Sequence, residues 1–375
     1  MNRISALIKK EFIHFYRDPI SVSLIIYHFT LCVFLCGYCW VTDAKQLNTI
    51  VYDMNRSSVS RDLIDRFMST EYFNLYSYAV SMKEVEDAID QASVRIALII
   101  PADFTRNLKD EKPAKIQMIC DGTDGNLAGQ ALGFSERIVA SFNEDIVIDK
   151  LQKKGIDISQ LPGVDNISRI LYNQEMEGVY YVVIYHIVVA GLIGGLLLSS
   201  TALVREKERG TIDQLMVTPT RSWELLLAKT ITPIFISLLA TVFSFLVVFH
   251  FDVPCRGNPA EFFLFMAFFL IGITGIGICI GVFCSNMLQA ILLSFAVWFG
   301  GIFTAGIVTP IDNYVPVLKS IAQVIPTYHF NIASSGIFQK GIGISVLWPE
   351  ALKLVLTGAG LLAIGCIMAY REFRQ

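Results

Sequence analysis

The sequence predicts an α-helical polytopic membrane protein with six transmembrane helices and an inserted extracytoplasmic α/β domain. Three observations predict this fold class. The chain of 375 residues has a mean hydropathy of +0.54, which is higher than soluble proteins of this length have. Several apolar tracts with few charged residues are long enough to cross a bilayer. One polar block, residues 42–178, holds most of the acidic residues and interrupts those tracts.

The amino-terminal residues 1–19 predict an amphipathic interfacial helix. Its large apolar residues fall on one helical face, its basic residues lie elsewhere, and the helix ends at Asp18-Pro19. Residues 20–41 carry no formal charge and form the predicted first transmembrane helix. A cleaved signal peptide is the competing interpretation, but the charged helix ahead of this segment is long and no small-residue cleavage site follows Trp40.

Residues 42–178 alternate short β-type runs with polar helical runs. This pattern is typical of an α/β or α+β domain with a sheet of about four strands. The strand-like runs are residues 48–52, 73–78, 94–100 and 115–120. The helix-like runs are residues 59–68, 83–91, 103–109 and 125–150. Because transmembrane helices flank this block, we expect both of its ends to lie at the same membrane surface.

Five further apolar segments follow the polar block. They predict transmembrane helices two to six at residues 179–203, 226–250, 260–283, 288–308 and 350–370. Between the last two segments, residues 310–349 form short amphipathic pieces broken by four prolines. Backbone that leaves helical geometry at membrane depth must be buried in protein or face water. We therefore predict an extracytoplasmic re-entrant hairpin region there.

Residues 204–222 connect the second and third predicted spans, and the first part of this connector is densely charged. Six charged residues fall between Arg205 and Asp213, and a short amphipathic run then follows Gly210 and ends at Pro219. This pattern predicts a short cytoplasmic helix at the membrane surface. A partner that holds such a helix could move both spans that it joins.

Lysine and arginine residues near the span ends predict the orientation. They concentrate in the amino-terminal helix, in residues 204–229 and at the carboxyl end, whereas residues 251–260 and 310–349 hold few. The sequence therefore predicts a multi-pass membrane protein with both termini in the cytoplasm. Residues 42–178 then lie outside the cytoplasm, and the charged connector lies inside.

Two patterns within the predicted spans have alternative interpretations. The pairs Gly191-x-x-x-Gly195 and Gly277-x-x-x-Gly281 are compatible with a dimer face or with packing inside one bundle. Three cysteines on one face of the first span, at positions 32, 36 and 39, are far more often small apolar residues than metal ligands. We predict no metal site.

The sequence lacks the usual means of supplying energy or performing catalysis. The predicted spans hold no Asp, Glu, Lys or Arg near their midpoints, as ion-coupled transport would require, and there is no phosphate-binding loop motif for ATP. Residues 121–126 resemble a calcium loop, but its twelfth position is Leu132, so a turn is the better interpretation. No catalytic constellation or basic nucleic-acid patch stands out. We predict no enzyme activity, no bound cofactor and no nucleic-acid partner.

Several motifs, taken in order, resemble a known family across essentially the whole chain. They are Lys9-Lys10-Glu11 to Arg17-Asp18-Pro19, Ile100-Pro101-Ala102-Asp103-Phe104, Asp121-Gly122-Thr123-Asp124, Arg205-Glu206-Lys207-Glu208-Arg209-Gly210-Thr211, Thr309-Pro310-Ile311-Asp312 and Ile325-Pro326-Thr327-Tyr328. The family is the permease subunits of bacterial ATP-binding-cassette exporters of the ABC-2 type, in the subgroup with a large extracytoplasmic domain between the first two transmembrane helices.

This resemblance implies a half-transporter that pairs with a second copy or a related permease. A separate cytoplasmic ABC ATPase subunit would bind ATP and Mg and would hold residues 205–219 as a coupling helix. The implied ATPase-coupling residues are Arg205, Glu206, Lys207, Glu208, Arg209, Gly210, Thr211, Leu215 and Pro219. The second and fifth spans would line an apolar path for a hydrophobic or amphiphilic substrate such as a drug, lipid or metabolite. The extracytoplasmic domain would receive that cargo or dock a periplasmic adaptor protein.

Two other functions are weighed against export. A membrane-anchored extracytoplasmic sensor or scaffold would relay a signal through the same connector, but it would need only a few anchoring spans. A passive channel would need a polar stripe along its pore, and the predicted spans offer none. The number of apolar spans favours export.

Overall fold

The computed structural model describes residues 3–39, 45–123, 125–153, 171–173, 177–210 and 222–372. The chain divides into a membrane unit, Met1–Val41 with Ile170–Gln375, and an inserted unit, Thr42–Arg169. Within the described residues, six helices are long and apolar enough to cross a membrane. These six helices and the separate sheet-containing unit confirm the predicted fold class.

The membrane unit begins with an amphipathic helix, Arg3–Tyr16, which we call the amino-terminal helix. The first span, Pro19–Cys39, follows after two residues. Asp18 caps this span, because its carboxylate accepts a hydrogen bond from the Ile20 N–H at 3.3 Å, and it also accepts one from the Ser21 hydroxyl at 2.7 Å. Pro19 occupies the first turn, where backbone N–H groups have no partner within the helix, so the N–H that proline lacks is not missed by any helical hydrogen bond.

The second span lies at the centre of the membrane unit. Spans two to six are Gly178–Glu208, Ser222–His250, Pro259–Phe283, Met287–Thr304 and Ile344–Glu372. The first, third, fourth and fifth spans all pack against the second, whose apolar window is buried along its whole length. Other spans of the same chain therefore cover it. The prediction that the second span lines a path between two copies is wrong for this window.

Glycines allow the second and fourth spans to approach closely. A Cβ atom on Gly277 would lie 1.8 Å from Ser199 Oγ, and one on Gly281 would lie 2.9 Å from the Ser200 carbonyl oxygen. The glycines of the other pair, at positions 191 and 195, face Met266 and Ile273 of the fourth span in the same way. Both glycine pairs thus pack one span of this chain on another, which decides between the two alternatives that the sequence leaves open.

Short helices fill the region between the fifth and sixth spans. They are Ile311–Asn313 (3₁₀), Pro316–Ala322, Pro326–Ser335 and Gly336–Lys340 (π). The sixth span begins at Ile344, earlier than the predicted residue 350, and Pro349 lies inside its helix. Glu261 of the fourth span explains this early start, since its carboxylate accepts a hydrogen bond from the Ile344 N–H at 2.8 Å. The prediction that Pro349 breaks the chain is wrong.

The inserted unit contains a four-stranded sheet in the order β2-β1-β3-β4. Its strands are β1 (Leu47–Asp53), β2 (Phe73–Tyr78), β3 (Ile96–Ile100) and β4 (Gln117–Cys120). Its helices are α1 (Ser58–Met68), α2 (Met82–Asp90), α3 (Phe104–Lys109) and α4 (Gly125–Lys153). β1 pairs in parallel with β2 and β3, placing Val51 beside Leu98, and β4 pairs antiparallel to β3.

The apolar run of β3 is buried on both faces of the sheet. Leu98 packs in one core with Leu63 and Phe67 of α1, and Ala97 packs in a second core with Val85 of α2. A central strand that is apolar at every position is typical of a sheet covered on both faces. The inserted unit is therefore a layered α/β domain, as its alternating strands and helices predict.

Candidate coupling site at the end of the second span

The helix of the second span continues through most of the charged run that the sequence assigns to the connector. It ends at Glu208, and the Arg209 and Gly210 N–H groups donate hydrogen bonds back to the Arg205 and Lys207 carbonyls at 3.2 and 3.1 Å. Gly210 has a φ of +60°, the left-handed conformation in which glycine commonly ends a helix.

The predicted start of a separate connector helix near residue 204 is therefore wrong. No Gly or Pro interrupts residues 203–209, so the helix of the span has no reason to stop before Gly210. The predicted surface helix after Gly210, with the candidate residues Thr211, Leu215 and Pro219, lies outside the described residues.

Arg205 joins the end of the second span to the start of the first. Its guanidinium forms an ion pair with the Asp18 carboxylate, and the two side chains are 15% and 18% exposed. Burial by itself would raise the pKa of Asp18, but the hydrogen bonds from Ser21 and the positive charge of Arg205 together hold that pKa below its usual value. Asp18 is therefore ionised at neutral pH and caps the first span as a carboxylate.

Glu206 joins the second span to the amino-terminal helix and to the third span. Its Oε1 lies 2.8 Å from Lys10 Nζ and 3.6 Å from Lys229 Nζ. Lys229 Nζ also lies 3.1 Å from Glu11 Oε1 and donates a hydrogen bond to the Ala202 carbonyl at 2.7 Å. Lys229 is 1% exposed, so these oxygen atoms replace the water that a charged ammonium would otherwise need.

Lys207 and Glu208 join the same helix end to the three remaining spans. Lys207 Nζ donates to the Val282 carbonyl at 2.5 Å and lies 3.1 Å from Glu372 at the end of the sixth span. Glu208 accepts a hydrogen bond at 2.7 Å from the Met287 N–H, which begins the fifth span. A carboxylate there also matches the positive end of the fifth helix's dipole.

The last turn of the second span therefore contacts every other described span and the amino-terminal helix. Arg205, Glu206, Lys207 and Glu208 each reach a different partner, whereas Arg209 is exposed and has no ion-pair partner within the described part of the chain. A displacement of this helix end would thus change contacts with all of the other described spans.

Sequence reasoning missed Asp18, Glu11 and Lys229 as members of this ion-paired cluster. It counted Lys229, at the start of the predicted third span, only as a basic residue near the connector, whereas the structure buries this side chain within the third-span helix. The sequence did contain one weak indication that Glu11 is paired. Glu11 lies four residues after Leu7, on the buried side of the amino-terminal helix, where an unpaired acid would be costly.

The other chemistry-bearing motifs have structural partners. Asp121 accepts a hydrogen bond from the Thr123 hydroxyl and pairs with Arg95 at 2.6 Å, and these contacts lower its pKa, the Thr123 hydroxyl contributing most. This carboxylate therefore belongs to a turn at the end of β4. Within the described ranges, no group of three or more His, Cys, Asp or Glu side chains is placed to hold a metal ion.

Six apolar helices, an inserted α/β domain and one helix end that contacts all the other described spans define a multi-pass membrane protein. Residues 20–367 match the ABC-2 family transporter protein family. The chain belongs to this family, which confirms the predicted resemblance to ABC-2 type permeases.

Three bacterial relatives are similar to this chain over nearly their whole length. The probable multidrug ABC transporter permease YbhR of Escherichia coli K12 is 25% identical, with 100% of this chain and 99% of the relative covered. The probable multidrug ABC transporter permease YbhS of the same strain is 26% identical, with 99% and 97% covered. Its inner membrane transport permease YhhJ is 24% identical, with 96% and 94% covered. The chain is therefore a transport permease.

Proposed function

We propose that this chain is the membrane-spanning subunit of an ATP-driven ABC-2 type exporter. Its cargo is a hydrophobic or amphiphilic compound taken from the cytoplasm or the inner leaflet. The observation that carries this proposal is the last turn of the second span, Arg205–Glu208, which contacts all the other spans and can distribute a movement among them. The names of the relatives YbhR and YbhS, which describe probable multidrug permeases, support export of drug-like cargo.

The energy comes from a separate chain. Membership of an ABC permease family implies an ABC ATPase partner, and the sequence has no phosphate-binding loop motif, so ATP and Mg belong to that partner. We assign its docking to the exposed Arg209, to Gly210 and to the connector up to Pro219. The four charged residues before Arg209 face neighbouring helices, so their role is to transmit the movement.

The path for cargo lies between two permease copies, either two of this chain or this chain and a related permease. The fifth span supports this arrangement, because Leu292, Phe299 and Phe303 along it remain exposed in a single chain. Both termini and the connector face the cytoplasm of a bacterium, as the distribution of Lys and Arg favours. The inserted domain then lies outside, where it receives cargo or docks a periplasmic adaptor.

Purification of the tagged chain from mild detergent, with ATP hydrolysis measured on the eluate, tests the proposal. We expect a stoichiometric ATPase to be retained, and we expect Arg209→Glu to reduce its retention several-fold because the substitution reverses a charge at the docking surface. Arg137→Glu on the inserted domain is the matched control, since Arg137 is also exposed. A chain that purifies alone, from preparations that preserve other complexes, would favour the sensor or scaffold function instead.

Transmission requires its own variant. Glu208→Gln keeps the shape of the side chain but removes the charge that faces the start of the fifth span. We expect the ATPase to remain bound and to hydrolyse ATP, while transport of a fluorescent hydrophobic cargo in inverted vesicles falls. Parallel loss of ATPase retention in Glu208→Gln would contradict the division between docking and transmission.

A further inference from the structure

An apolar groove runs between the first and third spans beside the ion-paired cluster. Its volume is about 400 Å³, which lies within the usual range for small-molecule sites. The floor of the groove is formed by buried side chains, among them Phe29, Ile25 and Ala240, and its rim includes the exposed Ile26 and Phe243. The described lining is apolar apart from Thr30.

A small polar cavity adjoins the end of this groove. Phe15 and Ile236 line both spaces, so the two share a wall. The polar cavity has a volume of about 30 Å³, which is enough for one small polar group. Glu11 and Thr232 are among the residues that line it. A groove and a cavity of these two kinds, placed end to end, match a molecule with an apolar body and a small polar head.

The cavity contains a polar group that the protein does not satisfy. Thr232 is 3% exposed, and its hydroxyl has no hydrogen-bond partner in the described structure. The neighbouring Thr230 and Thr201 hydroxyls, by contrast, donate to the carbonyls four residues earlier, at 2.8 and 2.6 Å. A buried hydroxyl without a partner is costly. The Thr232 hydroxyl therefore favours a ligand that completes its hydrogen bonding.

The polar cavity offers mainly hydrogen-bond acceptors. The Glu11 and Glu206 carboxylates line it, and the Arg205 guanidinium, which also lines it, is already paired with the Asp18 carboxylate. His14 also lines the cavity, and burial lowers its pKa, so it adds no positive charge at neutral pH. A ligand that donates a hydrogen bond suits this surface, whereas a carboxylate would face two others.

We propose that the groove and cavity together bind the cargo, a lipophilic molecule with one hydrogen-bond-donating head group, an amine or a hydroxyl. Its apolar body lies along Phe29, Ala240 and Phe243, and its head donates to Glu11. The Thr232 hydroxyl donates to a hydroxyl head or accepts from an ammonium head. This inference rests on the proposed exporter function, since it identifies the occupant as cargo. The groove opens along exposed side chains of the first and third spans, so cargo enters from the bilayer beside the charged helix end.

Photolabelling of the purified full chain with three probes of equal chain length tests the site. The probes are a long-chain alcohol, the amine and the carboxylic acid, each with a diazirine on the chain. We expect the alcohol and amine to label peptides that contain Phe29 or Phe243 roughly tenfold more than the acid, as a hydrogen bond to buried acceptors would give. Equal labelling by all three would identify an ordinary lipid-facing surface and overturn the proposal.

Two matched pairs of variants test whether the probes bind in the groove and the cavity. Ala240→Trp fills the groove and should abolish labelling by all three probes, whereas Val242→Trp, at a position 51% exposed on the same helix, should not. Thr232→Val should reduce alcohol labelling several-fold and leave labelling by the acid unchanged, whereas Thr230→Val should preserve the preference for the alcohol. Full labelling of Ala240→Trp, or an unchanged preference in Thr232→Val, would overturn the site.

The labelling experiment tests the binding site separately from the exporter function. Labelling requires neither ATP nor the ATPase, so a chain that retains its ATPase but labels without head-group preference leaves the exporter function intact and removes this site. A chain that labels with the expected preference but never retains an ATPase keeps the binding site and removes the exporter.

Discussion

Lys229→Met removes the ammonium that contacts both Glu11 and Glu206 and replaces it with an apolar side chain of similar length. Lys229 Nζ lies 3.1 Å from Glu11, 3.6 Å from Glu206 and 2.7 Å from the Ala202 carbonyl, and Lys229 is 1% exposed. Glu206 retains Lys10 at 2.8 Å, but Glu11 retains no cation within ion-pair distance in the described structure. Removing one partner of a buried pair costs about 3–5 kcal/mol, and we expect a loss of this size.

A double-mutant cycle separates the ion pair from simple loss of packing. Glu11→Gln combined with Lys229→Met leaves no unpaired charge at this position, so the combined loss should be smaller than the sum of the single losses by about 1–3 kcal/mol. Lys319→Met is the control, because Lys319 pairs with Asp312 at 2.9 Å but the two side chains are 40% and 85% exposed. An exposed pair of this kind contributes about 0–1 kcal/mol.

The measurement is unfolding of the purified variants in one detergent, followed by tryptophan fluorescence across a denaturant series. Midpoints and slopes give the free energy of unfolding for each variant. A Lys229→Met variant no less stable than Lys319→Met would refute the buried-pair reasoning. Strict additivity of Glu11→Gln and Lys229→Met would refute the direct coupling between the two side chains.

Two further predictions concern helix packing and pH. Gly277→Ala should destabilise the chain by about 1–3 kcal/mol in the same unfolding assay, because its Cβ would lie 1.8 Å from Ser199 Oγ, whereas Gly360→Ala, with nothing within 4 Å, should be neutral or stabilising. The folded-state pKa of Asp18 is lowered, so its charge stabilises the fold above the unfolded-state pKa of about 3.9 and this contribution is lost as the pH falls through the folded-state value. The stability difference between the native chain and Asp18→Asn should therefore stay constant from about pH 7 to pH 5 and shrink only below about pH 4. A difference that already shrinks between pH 7 and pH 5 would contradict the ion pair with Arg205.

The sequence predicts the inserted domain well because its signals are local. The strands that it places at residues 48–52 and 73–78 correspond to Leu47–Asp53 and Phe73–Tyr78 in the structure. Short apolar runs separated by polar helices leave little freedom in where a strand begins or ends. The long apolar tracts locate the spans for the same reason, since about 20 residues are needed to cross the hydrocarbon core.

Features that depend on distant residues are not predictable in this way. The sixth span begins early because Glu261, 83 residues away in the chain, accepts the hydrogen bond of Ile344. The ion-paired cluster joins Lys10 to Glu206 across 196 residues and Glu11 to Lys229 across 218. Periodicity and composition carry no information on such pairs, so the charged run that the sequence assigns entirely to a connector is partly the end of a span.

The position of this cluster at the end of the second span has a mechanical consequence. One helical turn is about 5.4 Å, which is longer than any ion pair or hydrogen bond that Arg205, Glu206, Lys207 and Glu208 make with their partners. A sliding movement of this size would therefore break all of these contacts together. A smaller movement would carry the partners along. Each contact can stretch by only a fraction of an ångström before the buried charge is left without its partner, and an unpaired buried charge is costly. Charges placed at the middle of the span would cost more in the bilayer, so the helix end is the position where ion pairs can couple the spans without destabilising insertion.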